Sequence, residues 1–287
     1  MKELVINADD FGLSSGVNRG IIKAWREGIL TSASLMVGGS SFEEAVQLAN
    51  ENPGLQVGLH LTLVQGRGIV EHERSPSITD FMGNFTDDPV LAGMRYFFLK
   101  KLRSQLYREI EGQIVKFKES GLNLSHIDGH LNIHMHPVVF DILNELMPRH
   151  GIISFRLSRE RFGTELRIAP RRFLGKATEA FIFSRLSSRC KTYLDRLGIK
   201  YGVEVKGLLN SGRMSEDYLL NVLDILKNGM TEIYFHPGFL PDDEISRRMP
   251  DYRHEEEMNA LTSGRVKEKI RELGLSLRNY RGDIKVI

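Results

Sequence analysis

The stretch that decides the fold is 3–28, ELVINADDFGLSSGVNRGIIKAWREG. Its first part, ELVINAD, is a short apolar run of strand length. Val17, Ile21, Ile22 and Trp25 then recur at helical spacing, and Gly28 is placed to stop the helix. A strand that feeds directly into a helix is one βα unit, and the same order returns along the chain. SASLMV (32–37) precedes FEEAVQLANEN (42–52), and QVGLHLTLV (56–64) precedes a long helical region over about 93–120. LSHIDGH (124–130) precedes PVVFDILNELMPRHG (137–151), and ISFRLS (153–158) follows it. VEVKGLL (203–209) precedes SEDYLLNVLDILKNG (215–229), and TEIYFHPG (231–238) precedes a long helix across 254–274.

Short apolar strands that each lead into a helix imply a parallel sheet covered by helices. No Gly-rich dinucleotide fingerprint or phosphate loop follows any strand, which removes the usual reason for an open, doubly wound sheet. The expectation is an α/β fold, a distorted (β/α) barrel of about seven parallel strands. One barrel domain over 1–287 is expected, with irregular insertions at about 65–92 and 159–196.

Composition narrows the class. With 41% hydrophobic and 26% charged residues, the chain can bury a normal core. A formal charge of +2 is too balanced for nucleic acid as the main partner. Cys190 is the only cysteine, which excludes an intrachain disulfide or a thiolate metal cluster and makes a reduced, cytoplasmic setting the expectation. The N-terminus reaches Asp9 and Asp10 too early for a signal-peptide apolar region, and no run approaches the roughly 18 apolar residues of a membrane span. The 159–196 insertion is rich in arginine and carries Phe162, Phe173, Phe181 and Phe183. It reads either as a solvated amphipathic helix with its phenylalanines in the core or as a peripheral contact with anionic lipid at the inner membrane face.

In a parallel barrel the chemistry gathers at the carboxyl ends of the strands. Four strand ends carry suitable residues: Asp9 and Asp10 after the first strand, His60 in QVGLHLTL, the cluster HIDGHLNIHMHP (126–137), and His236 in YFHPG. Each alone has an innocent reading as a cap or a packed imidazole. Together, buried carboxylate and imidazole converging on one end demand a compensating partner, which a divalent cation supplies. Consecutive side chains in extended backbone diverge, so Asp9 and Asp10 divide the work, one on the cation and one as general base. Two imidazoles and one carboxylate leave coordination positions open, as a hydrolytic site requires.

NADDFG, TSASLMVGG, GLHLTL, HIDGHLNIHMHP and HPG, in this order and at these separations, resemble the YdjC-type carbohydrate deacetylases. The resemblance spans nearly the whole chain and is weakest over about 160–200. It implies a metal-dependent barrel related to polysaccharide deacetylases. Matched residue by residue, it implies Asp10, His60 and His130 as metal ligands, Asp9 as general base, and a Glu corresponding to Glu257 near the substrate. Members often carry a further His where this chain has Asn132, a side chain still able to bond a sugar hydroxyl. GILTSASLMVGG and LAGMRYFFLKKLRSQLYREI are most similar to the subgroup associated with hopanoid biosynthesis. That similarity implies an N-acetylglucosaminyl hopanoid glycolipid as substrate.

The expected reaction is hydrolysis of an N-acetyl group from an amino sugar, releasing acetate, with one divalent ion, magnesium or zinc, and with His236 as general acid. Within the His cluster, Gly129 and the preceding alternation place the strand end near His130 and the next helix at Pro137. His130 is then the ligand, His126 a packed imidazole, and His134 and His136 line or cap the substrate cleft. The competing readings are a deacetylase of soluble chito-oligosaccharides, a phosphoesterase or amidohydrolase on the same barrel, and a non-catalytic glycan- or lipid-binding protein.

Overall fold

The computed structural model describes residues 1–287. Its strands are β1 (Lys2–Phe11), β2 (Ser32–Leu35), β3 (Gln56–Leu61), β4 (Leu124–Gly129), β5 (Glu204–Lys206), β6 (Gly229–Phe235) and β7 (Ser276–Leu277). They run in the order β4-β3-β2-β1-β6-β5, and every pairing is parallel. β2 joins β1 only from Asn7 onward, and β7 pairs in parallel with Glu3 and Leu4, covering the part of β1 that β2 does not reach.

Beyond β4 the sheet continues as single bridges, Ile127 with Phe155 and Ser154 with Lys200. The Val205 N–H of β5 donates to the Arg159 carbonyl. Because Lys200 and Val205 belong to one short segment, the two edges of the sheet meet and the sheet curls into a distorted barrel. The ISFRLS strand expected over 153–158 is therefore reduced to bridges at Ser154 and Phe155, where it closes the curl. Strands buried on both faces read as continuous apolar runs; a large core joins most of them to the surrounding helices, and a smaller cluster gathers around Val205 and Tyr234.

Local chemistry sets the helix ends. Ser14 caps the helix Ser15–Glu27, its hydroxyl accepting from the Val17 N–H. Pro137 opens the helix Pro137–Arg149 at the position where its missing N–H costs nothing. The helical region expected over 93–120 is two helices, Pro89–Phe98 and Arg103–Glu119, joined by a 3-10 turn at Lys100–Leu102. The helix expected across 254–274 is also two, His254–Thr262 and Gly264–Glu272, because Ser263 leaves helical geometry and caps the second with its hydroxyl on the Val266 N–H. The arginine-rich segment forms the helices Phe162–Ile168 and Phe173–Leu197.

Candidate metal centre

Strand register assembles the site. Ala8 of β1 lies beside Phe235 of β6, so the chain leaves those strands with Asp9 next to His236. His60 of β3 lies beside Asp128 of β4, and Leu61 beside Gly129, which puts His130 one residue past the strand end. At Asp10 the pairing of β1 with β2 shifts register, and the backbone takes a left-handed φ of 65°. A bulge of this kind re-aims a side chain and stores of the order of 1–3 kcal/mol of strain. Its effect is to send Asp9 and Asp10 to different partners.

Asp10 turns to the imidazoles. Its Oδ1 is 3.0 Å from His130 Nδ1 and 3.3 Å from His60 Nε2. Burial works against ionising the Asp10 carboxyl, but the neighbouring His130 and His60 rings outweigh it and hold it well below the usual carboxylate range. The far side of His60 is fixed: Nδ1 meets Asp128 Oδ1 at 2.8 Å. Burial disfavours the His60 cation, yet the Asp128 and Asp9 carboxylates push this imidazole up to about 10. The proton that these carboxylates hold on His60 is one that a divalent ion bound there would displace.

Two groupings of potential ligands fall within 4.8 Å, Asp10–His60–His130 and Asp9–His60–Asp128. Their other contacts separate them. Asp9 and Asp128 are engaged by Arg156, and Asp128 also accepts from Ser34 Oγ at 2.6 Å. Asp10 Oδ2 and His130 Nε2, in contrast, are buried without any hydrogen-bond partner. Unpartnered buried donors and acceptors are costly, and a divalent ion bound by these side chains would relieve that cost. Asp10, His60 and His130 fit such an ion.

Arg156 is the functional residue that sequence reasoning missed. Its guanidinium takes Asp9 in a fork, Nη1 to Oδ2 and Nη2 to Oδ1, each 2.7 Å, and Nε donates to Glu232 at 2.8 Å. It also lies over the Tyr234 ring, 4.6 Å from the centroid. Although burial opposes its charge, Asp128, Asp9 and Glu232 hold it protonated. A signal was present: an arginine between Phe155 and Leu157 in a short strand-like run has to find a buried anion. Asp128, between His126 and His130 in the sequence, joins His60 to Arg156.

A pocket of about 390 Å³ opens above this centre, lined among others by Asp9, Asp10, His60, His130, Asn132, His236 and Tyr252. Asn132 has a left-handed φ of 56°, and its Oδ1 accepts from Ser158 Oγ at 2.6 Å. His236 faces the same space. Burial pushes its imidazole down to about 4 against the pull of Asp10 and Asp9, so it rests neutral rather than near its ordinary value.

Two residues expected at the substrate do not reach the pocket. His134 is fully buried, with Nε2 bonded to the Arg156 carbonyl at 2.9 Å and its ring against Phe155, so it supports the backbone of Arg156. Glu257, also fully buried, accepts from the Met214 and His236 backbone N–H groups and so fixes the loop that carries His236. Burial pushes the Glu257 carboxyl up to about 7 despite these bonds. The cause in both cases is depth: each sits behind the strand ends rather than on them. His126 is packed, stacked on Tyr280 with centroids 4.0 Å apart. His136 bonds the Gly93 carbonyl at 3.1 Å.

The family model described as YdjC-like protein matches residues 3–272. The chain belongs to the YdjC-like family. Among its relatives, a carbohydrate deacetylase of Brevibacillus brevis is 31% identical over 97% of this chain and 98% of its own length. A carbohydrate deacetylase of Vibrio cholerae is 30% identical over 97% of this chain and 95% of its own. Among solved structures, a protein of Enterococcus faecalis V583, provisionally named a cellobiose-phosphate cleavage protein, superposes with a TM-score of 0.75. It is 28% identical, covering 98% of each chain. In this YdjC-like chain the matched span contains every residue of the centre, from Asp9 to His236.

Proposed function

We propose that the protein is a metal-dependent hydrolase that removes the acetyl group from an N-acetylated amino sugar and releases acetate. One observation carries the reading. A carboxylate, Asp9, is held apart from the cation-type site by a bidentate arginine, while Asp10, His60 and His130 gather beside it at the floor of a pocket. The carbohydrate deacetylases among its relatives support the choice of substrate.

Asp10, His60 and His130 would hold the ion, magnesium or zinc, two imidazoles and a carboxylate suiting zinc well. A divalent cation supplies Lewis acidity there, making water more acidic and an amide carbonyl more electrophilic. Asp9, locked in orientation by Arg156, takes the proton from the attacking water. Departure of the amine needs a proton on nitrogen, and His236 is the group on the pocket wall to deliver it. Being neutral at rest, it must receive that proton during the reaction, and the proton that Asp9 takes from the attacking water is the one passed on. Asn132, on the pocket wall, is the side chain that would bond a sugar hydroxyl.

The finer reading is that the sugar belongs to a glycolipid, an N-acetylglucosaminyl hopanoid, met by a cytoplasmic enzyme at the inner membrane face. It rests on the likeness of GILTSASLMVGG and of the 91–110 stretch to the hopanoid-associated subgroup. The test is acetate release, in the presence of divalent metal, from chito-oligosaccharides and from the glycolipid. Phosphate release from a sugar phosphate with no acetate from either would replace deacetylation by phosphoester hydrolysis. Turnover of the oligosaccharides alone would remove the glycolipid.

A further inference from the structure

The helix Pro89–Phe98 is inside out. Only Ala92 and Tyr96 are buried, while Val90, Leu91, Met94, Phe97 and Phe98 form an exposed stripe at helical spacing, Val90 being 73% and Phe98 64% exposed. Isolated exposed apolar residues need no explanation, but a contiguous apolar face on one helix does. Exposed Lys100 and Lys101 follow directly, and the acidic residues nearby, Asp87 and Asp88, lie at the opposite end, where Asp88 is occupied in capping the helix.

This helix is tied to the rim of the pocket at two points. Gln65, a pocket residue, donates to the Asp87 carbonyl at 3.0 Å. His136, which ends the turn carrying Leu131 and Asn132, bonds the Gly93 carbonyl. A second exposed apolar face lies across the same rim on the helix Phe173–Leu197, whose Glu179 and Phe183 line the pocket. There Phe173, Leu174, Phe181 and Ile182 face solvent, Leu174 being 79% exposed. Arg171, Arg172 and Arg185 accompany them, with the Arg185 guanidinium over the Phe181 ring.

We infer that these two faces dock the protein on an anionic lipid bilayer, with the pocket mouth between them. The inference rests on the glycolipid part of the proposed function and adds the surface, chiefly the Pro89–Phe98 helix, through which the enzyme meets its membrane. Charge selects the occupant. If two copies met through this surface, Lys100, Lys101 and the arginines would face their own kind, whereas anionic headgroups complement them while the apolar side chains enter the acyl boundary.

The test is flotation of the full chain with phosphatidylcholine vesicles and with vesicles containing roughly one-third phosphatidylglycerol. The expected result is preference for the anionic vesicles, weakened by salt. Leu91→Ser, Met94→Ser and Phe98→Ser together should lower binding by on the order of tenfold or more. This variant should keep the elution volume and the turnover of a soluble N-acetylated sugar. Lys100→Glu with Lys101→Glu should remove only the preference for phosphatidylglycerol. Two results overturn the inference: no partition of the wild type to either vesicle, or a wild-type dimer that the serine variant converts to monomer. Flotation uses no substrate, so a failure of the deacetylase reading, seen as no acetate from any sugar, leaves the vesicle result standing.

Discussion

Arg156 holds Asp9 by both carboxylate oxygens at 2.7 Å, although the two residues are 147 positions apart in the chain. The fork fixes where the Asp9 oxygens lie and prevents them from swinging toward the ligand atoms of Asp10. The same guanidinium is shared with Asp128 and Glu232, so one cation organises three buried anions.

Replacing this cation therefore has two effects. Arg156→Met leaves Asp9, Asp128 and Glu232 buried without their partner, and the expected loss of stability is about 3–5 kcal/mol. Arg156→Lys keeps the charge but loses the fork, and should fold while reducing kcat by about 100-fold. Chemical denaturation and steady-state acetate release measure the two.

Asp9→Asn preserves size but removes the base and one of the two acceptors in the Arg156 fork. The expectation is a fall in kcat of about 10²- to 10⁴-fold with the bound divalent ion retained, because Asp9 is not among its ligands. Metal analysis of the purified variant beside its kinetics checks both halves. Loss of the ion would shift Asp9 into the ligand set.

Chelation should abolish turnover, and added zinc or magnesium should restore it. Asp10→Ala should lose both activity and the rise in Tm that saturating metal gives the wild type, since an ion that binds only the folded site stabilises it by mass action. A chelated enzyme with full activity would reject metal dependence.

Glu160 gives a pH effect remote from the centre. It is buried behind the pocket wall, with Oε2 accepting from the Leu209 N–H and Oε1 without a hydrogen bond. Burial pushes its carboxyl from an ordinary 4.5 up to about 8, the Lys206 cation opposing and Glu165 reinforcing. The folded chain therefore keeps a proton that the unfolded chain releases, and this contribution to stability is full below about 4.5 and falls as pH rises toward about 8. Glu160→Gln, which mimics the protonated form, should flatten that part of the Tm-against-pH curve. A curve with the wild-type slope would show that Glu160 is ionised in the fold.

Apolar period and turn residues made the repeated βα order readable, because strands buried on both faces and helices buried on one leave their spacing in the sequence. The strand end at His130 and the helix start at Pro137 were legible for the same reason, through Gly129 and proline. Where the alternation failed, at ISFRLS and in the long helical stretches, the outcome depended on which edge closed the curl and on caps such as Ser263, neither of which periodicity records. Candidate chemistry was legible as residue type: two adjacent aspartates and histidines at strand ends.

What tertiary structure alone decided is the direction and depth of those side chains. The left-handed turn at Asp10 aims one aspartate at His60 and His130 and the other at an arginine from a distant segment. Depth takes His134 and Glu257 out of the pocket and sets them behind Arg156 and His236 as supports. Sequence spacing carries information about neighbours along the chain, whereas a buried charge is satisfied by whatever the fold brings within 3 Å or so of it. The pairing of Arg156 with Asp9 is of this second kind.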